Sequence, residues 1–200
     1  MDAARVAVLR ELLGSTGWVD RTRSFARVMR RSTTTPGGLL LVGTPEVEPW
    51  HLAAHLDDES RFSGIAELSP TLVRWSAPVD APPHLAFTLE RLEAARRGET
   101  VFVVAEDAAP ENLLERVSDA RKHGATVLSL DGGDAELQGL AHESLTIVQN
   151  DLVIPELTFD TVQHLVSAAA GEPDRIARKG FRDRLARALD VISGPAPSGR

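Results

Sequence analysis

The sequence predicts an α/β fold: a three-layer αβα sandwich around a five-stranded parallel sheet, with helical N- and C-terminal extensions. Three observations carry that prediction. Short runs of four to six apolar residues, flanked by Gly or Pro, recur without the polar alternation of a half-exposed sheet. Between them lie stretches whose apolar residues recur at helical spacing. And 200 residues at 42% hydrophobic and 26% charged suffice for one good-sized domain with its own core.

The elements follow in order. A first helix is expected over about Ala3–Leu13, stopping at Gly14, and a second from an Asp20 N-cap to about Arg31, with Phe25, Val28 and Met29 on one side. STTTPGG (32–38) breaks the helix, and Leu39–Val42 is the first strand. A helix around Pro49–Leu56, a strand around Thr71–Trp75 and a helix over about His84–Arg97 come next. Thr100–Ala105, TVFVVA, is β-branched and uninterrupted, the clearest strand in the chain. Then come a helix from Pro110 to Lys122, a strand at Thr126–Leu130, a short helix at Ala135–Ala141 and a fifth strand at Ser144–Val148. Phe159–Ala170 is a helix stopped by Gly171, and Asp174–Ile192 a last amphipathic one before the Pro/Gly-rich GPAPSGR. The expected division is an N-terminal helical extension (1–35), the α/β domain (36–172), a basic C-terminal helix (173–193) and a disordered tail (194–200).

Net charge is −7, unevenly spread. Residues 1–31 carry seven Arg against three acids, and residues 173–200 carry seven Lys or Arg against three acids, so each end is +4 and the centre is −15. An acidic centre raises no field that draws in a polyphosphate, so nucleic acid is not an expected partner. The absence of cysteine excludes disulfides, thiolate nucleophiles and zinc–thiolate sites. No apolar run approaches the roughly 18–20 residues of a membrane span, and MDAARVAVLRELLG reads as an amphipathic helix rather than a signal peptide, so a cytoplasmic protein without a membrane partner is expected.

In an open parallel sheet of order 2-1-3-4-5, ligands sit beyond the carboxyl ends of strands one and three. The loops there are GTPEVEP (43–49) and EDAAP (106–110), and both are acidic. A phosphate cradle needs glycines, hydroxyls and free backbone N–H groups. These loops offer Glu46, Glu48, Glu106 and Asp107, one hydroxyl at Thr44, and prolines at 45, 49 and 110 that each remove a donor. Two like charges 4 Å apart repel by about 4 kcal/mol at an effective dielectric of 20. Two readings stand. The acids satisfy helix N-terminal N–H groups and the helix dipole, the protein filling its own anion site. Or they converge, with Asp131 after strand four, on a divalent cation or a cationic or polyhydroxyl ligand. No D-x-D or H-x-x-x-H-with-Glu pattern assigns metal ligands, and no cofactor is expected.

His51 and His55 lie four apart, which is metal-ligand spacing on one helix face, although without a following Glu the pattern is weak. His164 reads as a polar-face histidine, and His84, His123 and His142 as helix-end residues. There is no G-x-S-x-G, no G-K-[ST] and no G-x-G-x-x-G, which weighs against hydrolase, kinase and dinucleotide chemistry.

The stretch from Glu99 to Val148 resembles the second half of the sugar isomerase (SIS) phosphosugar-binding domain, in which a strand leads into a Ser-rich loop and helix, then a G-A-x-V strand and a small helix. Gly124–Leu130 and Leu140–Val148 match the later part, LLLVGTPEVEPWHLAAHL occupies the place of the family's G-x-G-x-S loop and helix, and FDTVQHLVSAAAG resembles the helix after the last strand. The likeness covers roughly 36–171 and is greatest to short bacterial SIS-like proteins. The family's loop hydroxyls fall at Val104, Glu106 and Ala109, while Pro110 and Glu111 keep its pattern; of the first loop only Gly43 and Thr44 carry over. The resemblance implies a homodimer and a carbohydrate derivative, such as a sugar phosphate, as ligand. The expected function is a divergent SIS-like domain, binding such a derivative or acting as a non-catalytic dimeric module, with Gly43, Thr44, Glu46, Glu48, Glu106, Asp107 and Glu111 as candidate ligand-binding residues. The alternative is a sugar-phosphate isomerase with an atypical, metal-assisted site; no residue is assigned as its base or acid.

Overall fold

The computed structural model describes residues 13–14, 17–77, 79–82, 85–147 and 157–172. Five parallel strands, β1 (Leu39–Val42), β2 (Pro70–Val73), β3 (Thr100–Ala105), β4 (Thr126–Asp131) and β5 (Glu143–Thr146), form one sheet in the order β2-β1-β3-β4-β5. β1 is flanked on both sides, Leu41 pairing with Leu72 of β2 and with Phe102 of β3.

Every residue of β1 and β3 is buried, as their unbroken apolar composition requires. Alternate side chains feed two cores. Leu39, Leu41, Phe102, Val104, Leu128, Leu130 and Leu145 face one layer of helices: α1 (Trp18–Ser32), α2 (Trp50–Ser63) and α6 (Phe159–Ala170). Leu40, Val42, Val101, Val103 and Val127 face the other: the single turn α3 (Glu90–Glu93), α4 (Glu111–Lys122) and α5 (Ala135–Leu140). The helix after β1 thus lies on one face and the helix after β3 on the opposite face, which opens a crevice between the carboxyl ends of these strands.

α1 is part of this core. Phe25 lies 5.2 Å from Phe102, ring centroid to centroid, and Arg30 donates to the carbonyls of Ala169 (2.8 Å) and Ala170 (2.9 Å) at the end of α6. There a cation meets the negative end of the helix dipole.

Several boundaries differ from the sequence reading, among them β5, which is Glu143–Thr146 where Ser144–Val148 was expected. α1 begins at Trp18 behind Gly17, whose φ of 75° turns the chain, so Asp20 is a first-turn acid and not the cap. α2 continues past Leu56 to Ser63, because the inner stripe Leu52–Leu56 is extended by a serine, Ser60, buried with its hydroxyl on the Ile65 carbonyl (2.9 Å). β2 ends at Val73 rather than Trp75. The expected helix over His84–Arg97 shrinks to α3: the Arg74 N–H donates to the Phe87 carbonyl (2.8 Å) and Thr88 bridges Arg74, which holds this segment alongside β2 until residue 90.

Of the first expected helix only Leu13 and Gly14 are described, and both are helical. Val148, His84, the expected helix 174–192 and the tail 194–200 lie outside the described residues. Among the described residues no helix is long and apolar enough to cross a membrane.

Candidate functional site

The loop after β1 closes on itself. The Thr44 N–H donates to the Val47 carbonyl (3.1 Å), and the Val47 N–H reaches back to Thr44 Oγ1 (3.3 Å). The Thr44 N–H is thereby taken up within the loop, and the hydroxyl oxygen acts there as an acceptor. A Cβ at Gly43 would stand 2.1 Å from the Val47 carbonyl oxygen and 2.7 Å from Pro49 Cδ. Glycine is needed there for the loop's own backbone, where the sequence reading had it admitting a ligand.

Glu48 is the centre of this end of the sheet. Its carboxylate accepts from Arg74 Nε (3.2 Å), the Trp75 N–H (3.3 Å) and Trp50 Nε1 (3.0 Å), with both charged side chains less than one-fifth exposed. The Arg74 guanidinium lies 4.9 Å over the Trp50 ring, and Trp75 Nε1 donates to the Gly43 carbonyl (2.9 Å). Three donors from two segments thus converge on one internal carboxylate. Nothing in residues 43–49 announces Arg74 and Trp75, which lie 26 and 27 positions away.

The loops after β3 and β4 are bound to each other. The Gly132 N–H donates to the Ala105 carbonyl (3.1 Å), and a Cβ at Gly132 would fall 2.0 Å from the Glu106 carbonyl oxygen. Asp134 caps α5 through the N–H groups of Glu136 (2.9 Å) and Leu137 (3.1 Å), and its second oxygen accepts the Ala109 N–H (2.7 Å). Asp131 is fully buried and accepts from Ser129 Oγ (2.7 Å), the Gly133 N–H (3.0 Å) and Gln138 Nε2 (2.7 Å). Sequence reading passed over Asp134, Ser129 and Gln138. Asp134 carried a readable signal, an acid directly before a helix.

The remaining candidates face solvent. Glu46 is exposed at the tip of the first loop, Asp107 is exposed in the second, and Glu106 is half-buried. Glu111 is exposed in the first turn of α4, where it complements the helix dipole. Among the described residues no three His, Asp or Glu side chains gather into a group able to hold a metal ion. A convergence of these carboxylates and Asp131 on a divalent cation is therefore not formed among the described residues.

The histidines group elsewhere. His164, read as a polar-face residue, is buried on the inner side of α6, its ring 4.3 Å from that of His55 on α2. Asp160, one turn earlier on α6, lies 3.6 Å from His164 and 4.0 Å from His51. Burial holds the His164 pKa below the ordinary imidazole value; His55 adds to that shift and Asp160 opposes it. His142, read as a helix-end residue, stands just past α5 and accepts the Val127 N–H on Nδ1 (2.9 Å).

No protein-family model and no curated protein matches the chain. Solved structures do. The RpiR transcription factor from Sphaerobacter thermophilus (sugar isomerase domain) is 13% identical, with a TM-score of 0.52 over 95% of this chain and 94% of that one. The chain carries the sugar isomerase domain fold. NanR of Vibrio vulnificus, complexed with ManNAc-6P, is similar to this SIS-fold chain at 15% identity, with a TM-score of 0.50 over 94% of it and 67% of NanR. A protein assigned as a phosphosugar isomerase, from Silicibacter pomeroyi DSS-3, is 16% identical with a TM-score of 0.54 over 93% of this chain. The chain spans about half the length of that protein, 53%. At such identities the likeness is one of fold, and the SIS-like domain here is a divergent one. The crevice lies beyond the carboxyl ends of β1 and β3, where the loop after β1 is tied to the end of β2 and the loop after β3 to the loop after β4.

Proposed function

We propose that this chain is a divergent, non-catalytic SIS-like domain that binds a carbohydrate derivative at the crevice between β1 and β3 and works as a homodimeric module in the cytoplasm. The observation that carries the ligand class is the likeness of fold along nearly the whole chain to sugar isomerase domains, one of them in a protein complexed with ManNAc-6P. The loops support the non-catalytic part. The carboxylates of Glu48, Asp131 and Asp134 are committed to internal donors, so none is positioned to move a proton on a substrate. The exposed carboxylates of Glu46 and Asp107 remain at the rim, suited to the hydroxyl groups of a sugar. On this reading the +4 ends of the chain, 1–31 and 173–200, attract the acidic centre of the same or the neighbouring subunit.

Thermal melting against a panel of sugars, amino sugars and sugar phosphates, each with EDTA and with Mg²⁺, Mn²⁺ or Zn²⁺, tests the reading. Ligand at 100 times its Kd adds about 2.7 kcal/mol, which is several degrees for a domain of this size. The expected result is stabilisation that EDTA does not remove, with no aldose–ketose conversion. A shift requiring metal together with turnover would install the isomerase instead. No shift with any sugar would overturn carbohydrate binding.

A further inference from the structure

We propose that His55 and His164 form an acid-sensitive latch between α2 and α6, in which the edge-to-face contact of the two rings closes the seam and a proton on the buried His164 opens it. The geometry is that of two helices in matched register. His51 and Asp160 each stand second in their helix and lie 4.0 Å apart; one turn further, His55 and His164 meet edge to face at 4.3 Å. His164 is 7% exposed, so a proton placed there is poorly hydrated and faces a second titratable ring.

Among the described residues, the charged and titratable groups near the pair come from α6, α2 and α1. On α6 itself Asp160 lies 3.6 Å from His164 at the exposed start of the helix, where solvent screens it. From α2 come His55, His51 and, one turn beyond His55, Glu59 with one oxygen buried. From α1 the cations Arg23 and Arg30 are directed to the far end of α6, onto Glu172 and the carbonyls of Ala169 and Ala170. Among the described residues, then, Asp160 is the carboxylate paired with His164, and it is also shared with His51.

The sign follows from linkage. A histidine that binds its proton less readily when folded than when unfolded leaves the unfolded chain holding more protons. Its contribution to stability is complete above the unfolded value of about 6.5 and is lost as the pH falls through the lower folded value. Because α2 starts directly after the loop that holds Glu48, parting α2 from α6 also releases one wall of the crevice. The latch rests on this seam alone and stands whether or not a sugar binds.

NMR titration of the histidine rings in the full chain from pH 8 to 4.5, with hydrogen exchange across α2 and α6 at each pH, tests it. The expected result is a His164 midpoint below that of exposed His51, with protection of both helices falling through the same midpoint. His55→Gln should raise the His164 midpoint and Asp160→Asn should lower it. A His164 midpoint at or above that of His51 would overturn the latch. So would unchanged protection of α2 and α6 across the titration.

Discussion

Removing the Glu48 carboxylate leaves the Arg74 guanidinium, only 19% exposed, facing the space where its counter-ion stood. Leaving a half-buried charged donor unsatisfied costs roughly 1–3 kcal/mol, so Glu48→Ala is expected to lower stability by that amount in urea denaturation, with altered fluorescence from Trp50 and Trp75. An unchanged midpoint would mean that the pair is only a solvated surface contact. Two glycines offer opposite outcomes from one substitution. Gly132→Ala drives a methyl group into the Glu106 carbonyl and should destabilise by roughly 1–3 kcal/mol. Gly139→Ala, inside α5 with nothing within 4 Å of the new Cβ, should stabilise by up to about 1 kcal/mol. Thermal melts of the two variants check both signs. The sequence shows Glu48 as an acid in a loop and Gly132 as half of a turn; it does not show what either one touches, because those partners arrive from other strands.

Helices and loops were legible to different degrees. Phe159–Ala170 and Thr100–Ala105 have in the structure the limits that their side-chain pattern suggests, since in each the apolar pattern and the ends coincide. The segment 84–97 has helix-forming residues too, but the bridge between Arg74 and Thr88 holds residues 87–88 beside β2. Local propensity is worth only a few tenths of a kcal/mol per residue, and a pairing to a neighbouring segment outweighs it. α5 is a six-residue helix that depends on Asp134, and the same side chain ties down the loop after β3. Asp134→Ala is expected to cost about 1–2 kcal/mol and to speed hydrogen exchange at Ala109, Glu136 and Leu137 together. Faster exchange at Glu136 and Leu137 alone would show that the cap exists without the clamp.

For the molecule as a whole, the distribution of charge has a measurable consequence. With +4 at each end of the chain and −15 between, attraction between termini and centre contributes to the proposed dimer, and salt screens it over about 10 Å at 0.1 M. Light scattering should find the dimer dissociating more readily at 1 M than at 50 mM NaCl; equal affinities would assign the interface to apolar packing instead.

The strands, the layer order and most helices were readable from residue type and spacing alone, because a strand buried on both faces must be apolar throughout and a helix packed on a sheet must carry a stripe. The SIS resemblance rested on the same regularities. The commitments of Glu48 to Arg74, of Asp134 to Ala109 and of His164 to His55 appear only when the chain is folded. Each joins residues 25 to 109 positions apart, and no local pattern records which distant donor a carboxylate or an imidazole will meet. Whether an acid beside the crevice faces a ligand or serves the fold is therefore decided by the partner that tertiary packing brings to it.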